Sequence, residues 1–252
     1  MPFAGKVAFV TNAGAGIGRA VALAFARQGA GVAVVGSAPA ANDETVRLVA
    51  AQGGQAVAIT CAITDEQQVQ EALAQTITAF GRLDFALNNA GLHQHDAPTT
   101  DLPAAEWNGL VNSHLRGTFL CLKHEIPLIL RQGGGAIVNT SSGTGLIGSR
   151  NNAAYYAAQH GIIGMTCSAA LNYTSQRLRI NALCPSSAEV PTLGCCTGGP
   201  GQARKQVGPA ALSGPGSLPE AMAEAAVWLC SQGPSSVVSH TLVAAGGQVA
   251  VF

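Results

Sequence analysis

Ser142 and Tyr155 stand thirteen residues apart, and Gln159 follows one helical turn after the tyrosine. A serine hydroxyl, a tyrosine phenol and a cation one turn further on would form a hydroxyl-based proton-transfer site. A free phenol titrates at about 10, and each unit of depression takes about 1.4 kcal/mol of differential stabilisation. A positive charge at the i+4 position supplies such stabilisation, and residues so spaced share a helix face. Here that position holds the neutral Gln159, so the geometry survives and the charge does not.

A second chemical feature lies near the start of the chain. Thr11-Asn12-Ala13-Gly14-Ala15-Gly16-Ile17-Gly18 joins an apolar strand pattern to a helical one. A glycine-rich turn in that context aims backbone N–H groups and a helix N-terminus at a pyrophosphate. The cluster His93-Gln94-His95-Asp96 has two imidazoles and a carboxylate but no clear third and fourth ligand, and reads as a polar loop rather than a metal site.

These residues need a frame. Short apolar runs at Val7–Val10, Val32–Val35, Ala56–Ile59, Phe85–Leu87, Ala136–Val138, Arg179–Leu183 and Thr241–Val243 read as strands. Amphipathic stretches at Ile17–Gln28, Asn42–Ala51, Thr64–Phe80 and Trp107–Leu130 read as the helices between them. Such alternation predicts an α/β, Rossmann-like, doubly wound parallel sheet of about seven strands, in a single domain spanning residues 1–252. The stretch 185–216, rich in Gly, Pro and Ser and holding Cys195-Cys196, reads as a long loop on the substrate side.

Composition narrows the classes of function. Apolar residues make up 48% and charged ones 10%, so a large core is available and disorder is not expected. Thirteen basic residues balance thirteen acidic ones, which gives no electrostatic footprint for nucleic acid or an anionic membrane. The seven cysteines show no C-x-x-C pair and read as reduced thiols. No signal-peptide pattern and no uninterrupted apolar span is visible, which predicts a soluble, cytoplasmic protein.

Taken in order, the glycine turn, Asn88-Asn89-Ala90-Gly91, the Ser142/Tyr155 pair, Leu183-Cys184-Pro185 and the closing Ser239–Gly247 run resemble the short-chain dehydrogenase/reductase family over essentially the whole chain. The resemblance implies NAD or NADP as cofactor and an Asn–Ser–Tyr–Lys catalytic set. Carried onto this sequence, it places Thr11, Asn12, Gly16, Ile17, Gly18, Asn88, Ala90 and Gly91 at the cofactor. It places Ser142, Tyr155, Gln159 and His114 at the reacting centre, His114 falling at the family's Asn when Leu115-Arg116-Gly117-Thr118-Phe119 is registered on Leu-x-Gly-x-Phe.

Set against that pattern, the chain departs repeatedly. Asn12 replaces a Gly, Gly36 stands where NAD-using members carry an Asp, and Ala62 stands where an Asp meets the adenine. Ser186 and Val190 replace a Gly and a Thr, and Gln159 replaces the Lys. Together these changes remove most polar handles for a dinucleotide. The expectation is a catalytically silent subunit, in a homo-tetramer or in a hetero-oligomer with an active relative. One alternative is a working NAD(P)-dependent alcohol dehydrogenase or ketone reductase with a variant Ser142–Tyr155–Gln159 site. The other is a non-redox acid/base enzyme on the same scaffold, acting on a small molecule.

Overall fold

Five consecutive residues of β1, Val7–Thr11, are all buried, as expected of a strand covered on both faces. The computed structural model describes residues 1–91, 97–143, 150–185, 219–231 and 236–244. Across them the chain runs β1, α1 (Gly16–Arg27), β2 (Gly31–Gly36), α2 (Pro39–Ala51), β3 (Gln55–Thr60), α3 (Glu66–Phe80) and β4 (Phe85–Asn88). It continues through α4 (Ala104–Val111), a π-helical turn (Asn112–Arg116), α5 (Gly117–Arg131), β5 (Gly135–Thr140), α6 (Ala153–Tyr173) and β6 (Leu178–Pro185), then α7 (Pro219–Cys230) and β7 (Thr241–Ala244).

The strands form one parallel sheet in the order β3-β2-β1-β4-β5-β6-β7, in agreement with the doubly wound architecture read from the sequence. The order reverses between β1 and β4, so their carboxyl ends open a crevice suited to a ligand. Thr11 pins that crevice. Its hydroxyl accepts from the Asn89 N–H at 2.8 Å and donates to the Asn89 carbonyl at 3.1 Å. The Thr140 hydroxyl does the same for the next gap, donating to the Asn88 carbonyl at 2.7 Å.

Each face of the sheet buries its own cluster. On one, Val10, Val34, Leu87 and Val138 pack under Phe25 of α1 and Met222, Ala226 and Leu229 of α7. On the other, Phe9, Val35, Ala86 and Ile137 pack under Leu73 of α3 and Leu120 and Ile129 of α5. Each such side chain contributes about 1.5–3 kcal/mol when fully buried.

Most boundaries shift by a residue or two from the sequence reading, and three differences are larger. α2 starts a turn earlier, at Pro39, whose fixed φ suits the first helical position. The stretch read as one helix from Trp107 to Leu130 begins at Ala104 and is interrupted by the π turn at Asn112–Arg116. α7, not anticipated, buries Met222, Ala223, Ala226, Leu229 and Cys230 at helical spacing. The loop expected at 185–216 lies outside the described residues, apart from Pro185 at the end of β6. Among the described residues no helix is long and apolar enough to cross a membrane.

Candidate active site

The glycine turn closes β1 with Asn12 at φ 49° and Gly16 at φ 54°, both in the left-handed region. Asn is one of the few non-glycine residues that enters it readily. Gly18 has no alternative, because a Cβ there would strike the Asn12 carbonyl and lie 2.9 Å from the Ala13 Cα. α1 starts at Gly16 with no side-chain cap at Ala15 and no acidic residue in its first turn. Its first N–H groups, with Ile17 and Gly18 among them, are therefore open to an anion.

The turn is braced from behind. Arg19 donates to the Gly14 carbonyl and, through Nε, to the Thr45 hydroxyl at 3.0 Å, while Thr45 donates to the Ala13 carbonyl at 2.9 Å. Across the crevice, Gly91 is exposed and Ala90 half-buried. Among the described residues a Cβ on Gly91 would meet only the Asn12 amide nitrogen, at 3.9 Å. The open helix start and the glycine cradle fit a pyrophosphate. Asn88, expected at the cofactor, instead sends its side chain into the core.

Where the family resemblance would put an adenosine, the space beside Gly36 is taken. Asn42 of α2 donates to the Gly36 carbonyl at 2.9 Å and to the Ile59 carbonyl at 3.2 Å. Its Oδ1 is buried without a partner and lies 2.8 Å from where a Gly36 Cβ would stand. The Ala62 N–H is bound to the Gln68 side chain at 2.9 Å.

The reacting centre assembles where β5, β6 and α6 meet the π turn. Tyr155 and Ser142, both buried, are joined by a side-chain hydrogen bond. Burial pushes the Tyr155 phenol above its ordinary value; the Ser142 bond opposes that push and does not cancel it. Gln159 lies one turn along the same face, buried at 3% exposure, its amide Nε2 3.4 Å from Nδ1 of His114. The His114 ring stands edge-on to Tyr155 at a centroid distance of 5.5 Å and an angle of 87°. Ser141 donates to the Gln159 carbonyl at 3.1 Å and tethers the start of α6 to the end of β5.

His114 reaches this centre because of the π turn. The extra residue rotates it inward to 1% exposure, and Thr118 caps its carbonyl at 2.7 Å. All four residues expected at the reacting centre are therefore brought together. The offset pair Tyr156 and His160 is not part of it, since His160 is exposed and bonds the Tyr156 carbonyl at 2.9 Å.

One element was missed. Asn88 donates to Glu125 Oε2 at 2.9 Å and to Asn139 Oδ1 at 3.0 Å, and Asn139 donates to Thr166 at 2.9 Å. This chain of buried polar groups ties β4, α5, β5 and α6 beneath the site. Glu125 is fully buried, and desolvation pushes its carboxyl up to about 8 against the opposing Asn88 bond. Lys123 and His124, just before it in the chain, instead meet Glu66 outside, at 2.6 and 2.9 Å. The available signal was spacing: Cys121, Glu125 and Ile129 recur at i+4 on the buried face.

His93–Asp96, Ser186 and Val190 lie outside the described residues. Among the described residues no group of three or more His, Cys, Asp or Glu side chains could hold a metal ion.

Residues 12–248 match the family model described as Enoyl-(Acyl carrier protein) reductase. The chain is 36% identical over 249 residues to 2,5-dichloro-2,5-cyclohexadiene-1,4-diol dehydrogenase of Sphingobium indicum, covering 98% of each chain. It is also 36% identical over 249 residues to cis-4-hydroxycyclohexanecarboxylate dehydrogenase of Sinomonas cyclohexanicum, covering 99% of this chain and 98% of that one. Among solved structures it is similar to levodione reductase, with a TM-score of 0.90 and 30% identity over 99% of this chain and 100% of that chain.

Proposed function

The chain belongs to the short-chain dehydrogenase/reductase family, and from that premise we propose that it is a working NAD(P)-dependent oxidoreductase that interconverts a secondary alcohol and a ketone on a six-membered carbocycle. The observation that carries the reading is the Ser142–Tyr155 hydrogen bond, which joins the exit of β5 to the start of α6 in a fold whose glycine cradle is open to a pyrophosphate. The ring substrate follows from the two relatives, both named for alcohols on a cyclohexane or cyclohexadiene ring.

Gly16, Ile17 and Gly18 at the start of α1 would hold the dinucleotide's pyrophosphate, with Asn12 in the same turn and Ala90 and Gly91 across the crevice. When bound, a nicotinamide dinucleotide supplies hydride transfer. The chain's own residues handle the oxygen and its proton. Ser142 holds the substrate oxygen by a hydrogen bond, and Tyr155 exchanges a proton with that oxygen. Gln159 and His114 line the far side of Tyr155 and fix its position.

The silent subunit expected from the lost Lys is the weaker reading. The fold and the Ser142–Tyr155 pair are intact, His114 is turned into the same site, and the relatives are named for activities. An oligomer is part of the proposal. Phe119, Leu122, Ile126, Met165, Ala169 and Tyr173 line an apolar groove between α5 and α6, and Phe119 is 47% exposed. A second copy packed along that groove would bury it.

The test is to supply purified protein with cyclohexanone and NADH or NADPH, and with cyclohexanol and NAD or NADP, and to follow nicotinamide absorbance. Absence of turnover in every combination, together with no quenching or enhancement of NADH or NADPH fluorescence, would return the silent subunit as the better account.

A further inference from the structure

We propose that Glu125 is a positioning residue for the dinucleotide: as a neutral acid it pairs with the Asn88 amide and holds the crevice wall at Ala90 and Gly91 in its binding shape. The inference rests on the oxidoreductase reading above and adds a residue that acts on the cofactor only through others.

The directions of the buried hydrogen bonds lead to that acid. Thr166 donates its hydroxyl hydrogen to the Ile162 carbonyl at 2.7 Å, so it accepts from Asn139 Nδ2 at 2.9 Å. Asn139 therefore presents Oδ1 to Asn88, and Asn88 answers with Nδ2 at 3.0 Å. The same Nδ2 gives its other hydrogen to Glu125 Oε2 at 2.9 Å. Asn88 Oδ1 and Glu125 Oε1 remain, both buried and without a partner among the described residues. A carboxylate would leave both so, with a charge stripped of water. A proton on Oε1 supplies the missing hydrogen and lets acid and amide join by two bonds, N–H to Oε2 and O–H to Oδ1. Burial, opposed by the bond from Asn88, pushes this carboxyl up to about 8, in keeping with that form.

Asn88 leads directly into the crevice. Its carbonyl accepts from Thr140 at 2.7 Å, Thr11 holds the Asn89 N–H and carbonyl at 2.8 and 3.1 Å, and Ala90 and Gly91 follow. When the Glu125 O–H bond breaks and its proton passes to water, a bare charge is left under Asn88 and the wall loses that support.

Titratable groups on the elements around Glu125 have other engagements. Cys121 on α5 and Cys61 after β3 are held as thiols by burial. On α3, Glu66 meets Lys123 and His124 outside, and Glu71 is exposed. Asp84 before β4 is bound by Lys6 and Arg82. On the π turn, Arg116 bonds the Thr64 carbonyl and His114 faces Gln159.

The test compares wild type with Glu125→Gln and Glu125→Leu, which share every other titrating group. An infrared difference spectrum of wild type against Glu125→Gln near neutral pH, without cofactor, should show the carbonyl stretch of a protonated carboxylic acid. Fluorescence titration with NADH or NADPH should give a wild-type Kd that rises about tenfold from about pH 7 to about pH 9, as the protonated fraction falls. Glu125→Gln can make both bonds at any pH, so its Kd should vary by less than about twofold over that range. Glu125→Leu makes neither bond and should bind weakly throughout. Absence of the acid band, or the wild-type pH dependence persisting in Glu125→Gln, would overturn the proposal. An acid band without cofactor binding by any of the three proteins would instead count against the oxidoreductase reading. Amide hydrogen exchange over residues 85–91 then decides the positioning role: faster exchange in Glu125→Leu than in Glu125→Gln supports it, and equal exchange overturns it.

Discussion

Gln159 turns its amide to within 3.4 Å of the His114 ring, so the two residues that the sequence reading set apart from the family's catalytic pattern are neighbours. Substitutions at 114 and 159 are therefore expected to be coupled. An ammonium placed at 159 would stand beside the imidazole in a region where both residues are almost wholly buried. Unpaired buried charge next to a ring that can itself become cationic is costly.

A double-mutant cycle measures that coupling. Gln159→Lys alone should destabilise the protein by roughly 2–4 kcal/mol, since the charge gains no partner. Adding His114→Asn should recover a large part of the loss and raise the rate of alcohol oxidation above that of either single variant. Thermal or urea denaturation gives the coupling energy; strictly additive effects would show that the two side chains do not sense each other.

Tyr155→Phe keeps the ring packed against His114 and removes only the hydroxyl. It should cut turnover by about 10²–10⁴-fold with little change in NADH binding or melting temperature. Ser142→Ala should cost less, because Tyr155 can still reach the oxygen it protonates. Steady-state kinetics beside fluorescence titration separates the two effects. A Tyr155→Phe protein with half of the wild-type activity would remove the phenol from the mechanism.

Gly36→Asp tests the adenosine end. A Cβ at Gly36 would lie 2.8 Å from the buried Asn42 Oδ1, and a carboxylate there would add repulsion between two acceptors. The single substitution should weaken both stability and NAD binding. Paired with Asn42→Ala, which vacates the space, the same aspartate should tighten NAD relative to the Gly36→Asp protein. Calorimetric titration of NAD against the wild type and the two variants decides it; tighter binding by Gly36→Asp alone would mean that Asn42 does not occupy the position.

Much of this site was legible in the residue order because its spacing is local. Ser142 and Tyr155 are fixed by the exit of β5 and the start of α6, and the glycine turn by the junction of β1 and α1. What was not legible depended on packing between elements. Gly36 looks like a bare loss until Asn42, six residues later on the next helix, is seen clamping the Gly36 and Ile59 carbonyls. The π turn leaves no mark on apolar periodicity, because it adds one residue to a helix that continues on both sides. Glu125 sits in a run of polar residues, and only the sheet beneath α5 reveals which way it faces.

Glu125 gives the last prediction, with the sign set by its raised carboxyl. The folded group titrates at about 8 against 4.5 for an ordinary glutamate, so the folded protein holds a proton that the unfolded chain releases between those values. Its contribution to stability is therefore fully present below about pH 4.5 and is lost as pH rises toward 8, to the extent of a few kcal/mol. Neighbouring groups do not reproduce this trend. The Cys121 thiol on the same face is pushed well above its ordinary value. Burial raises Asp84, but its bonds to Arg82 and Lys6 more than offset that and hold it below the usual carboxylate range, so it titrates on the acid side. Glu125→Gln keeps the shape and the bond from Asn88 only if its amide oxygen faces that donor, and it removes the proton equilibrium altogether. Urea denaturation from about pH 5 to 8 should show wild-type stability falling faster than that of Glu125→Gln, with the gap widest at the alkaline end. Parallel curves would mean that Glu125 ionises in the folded protein as it does in water.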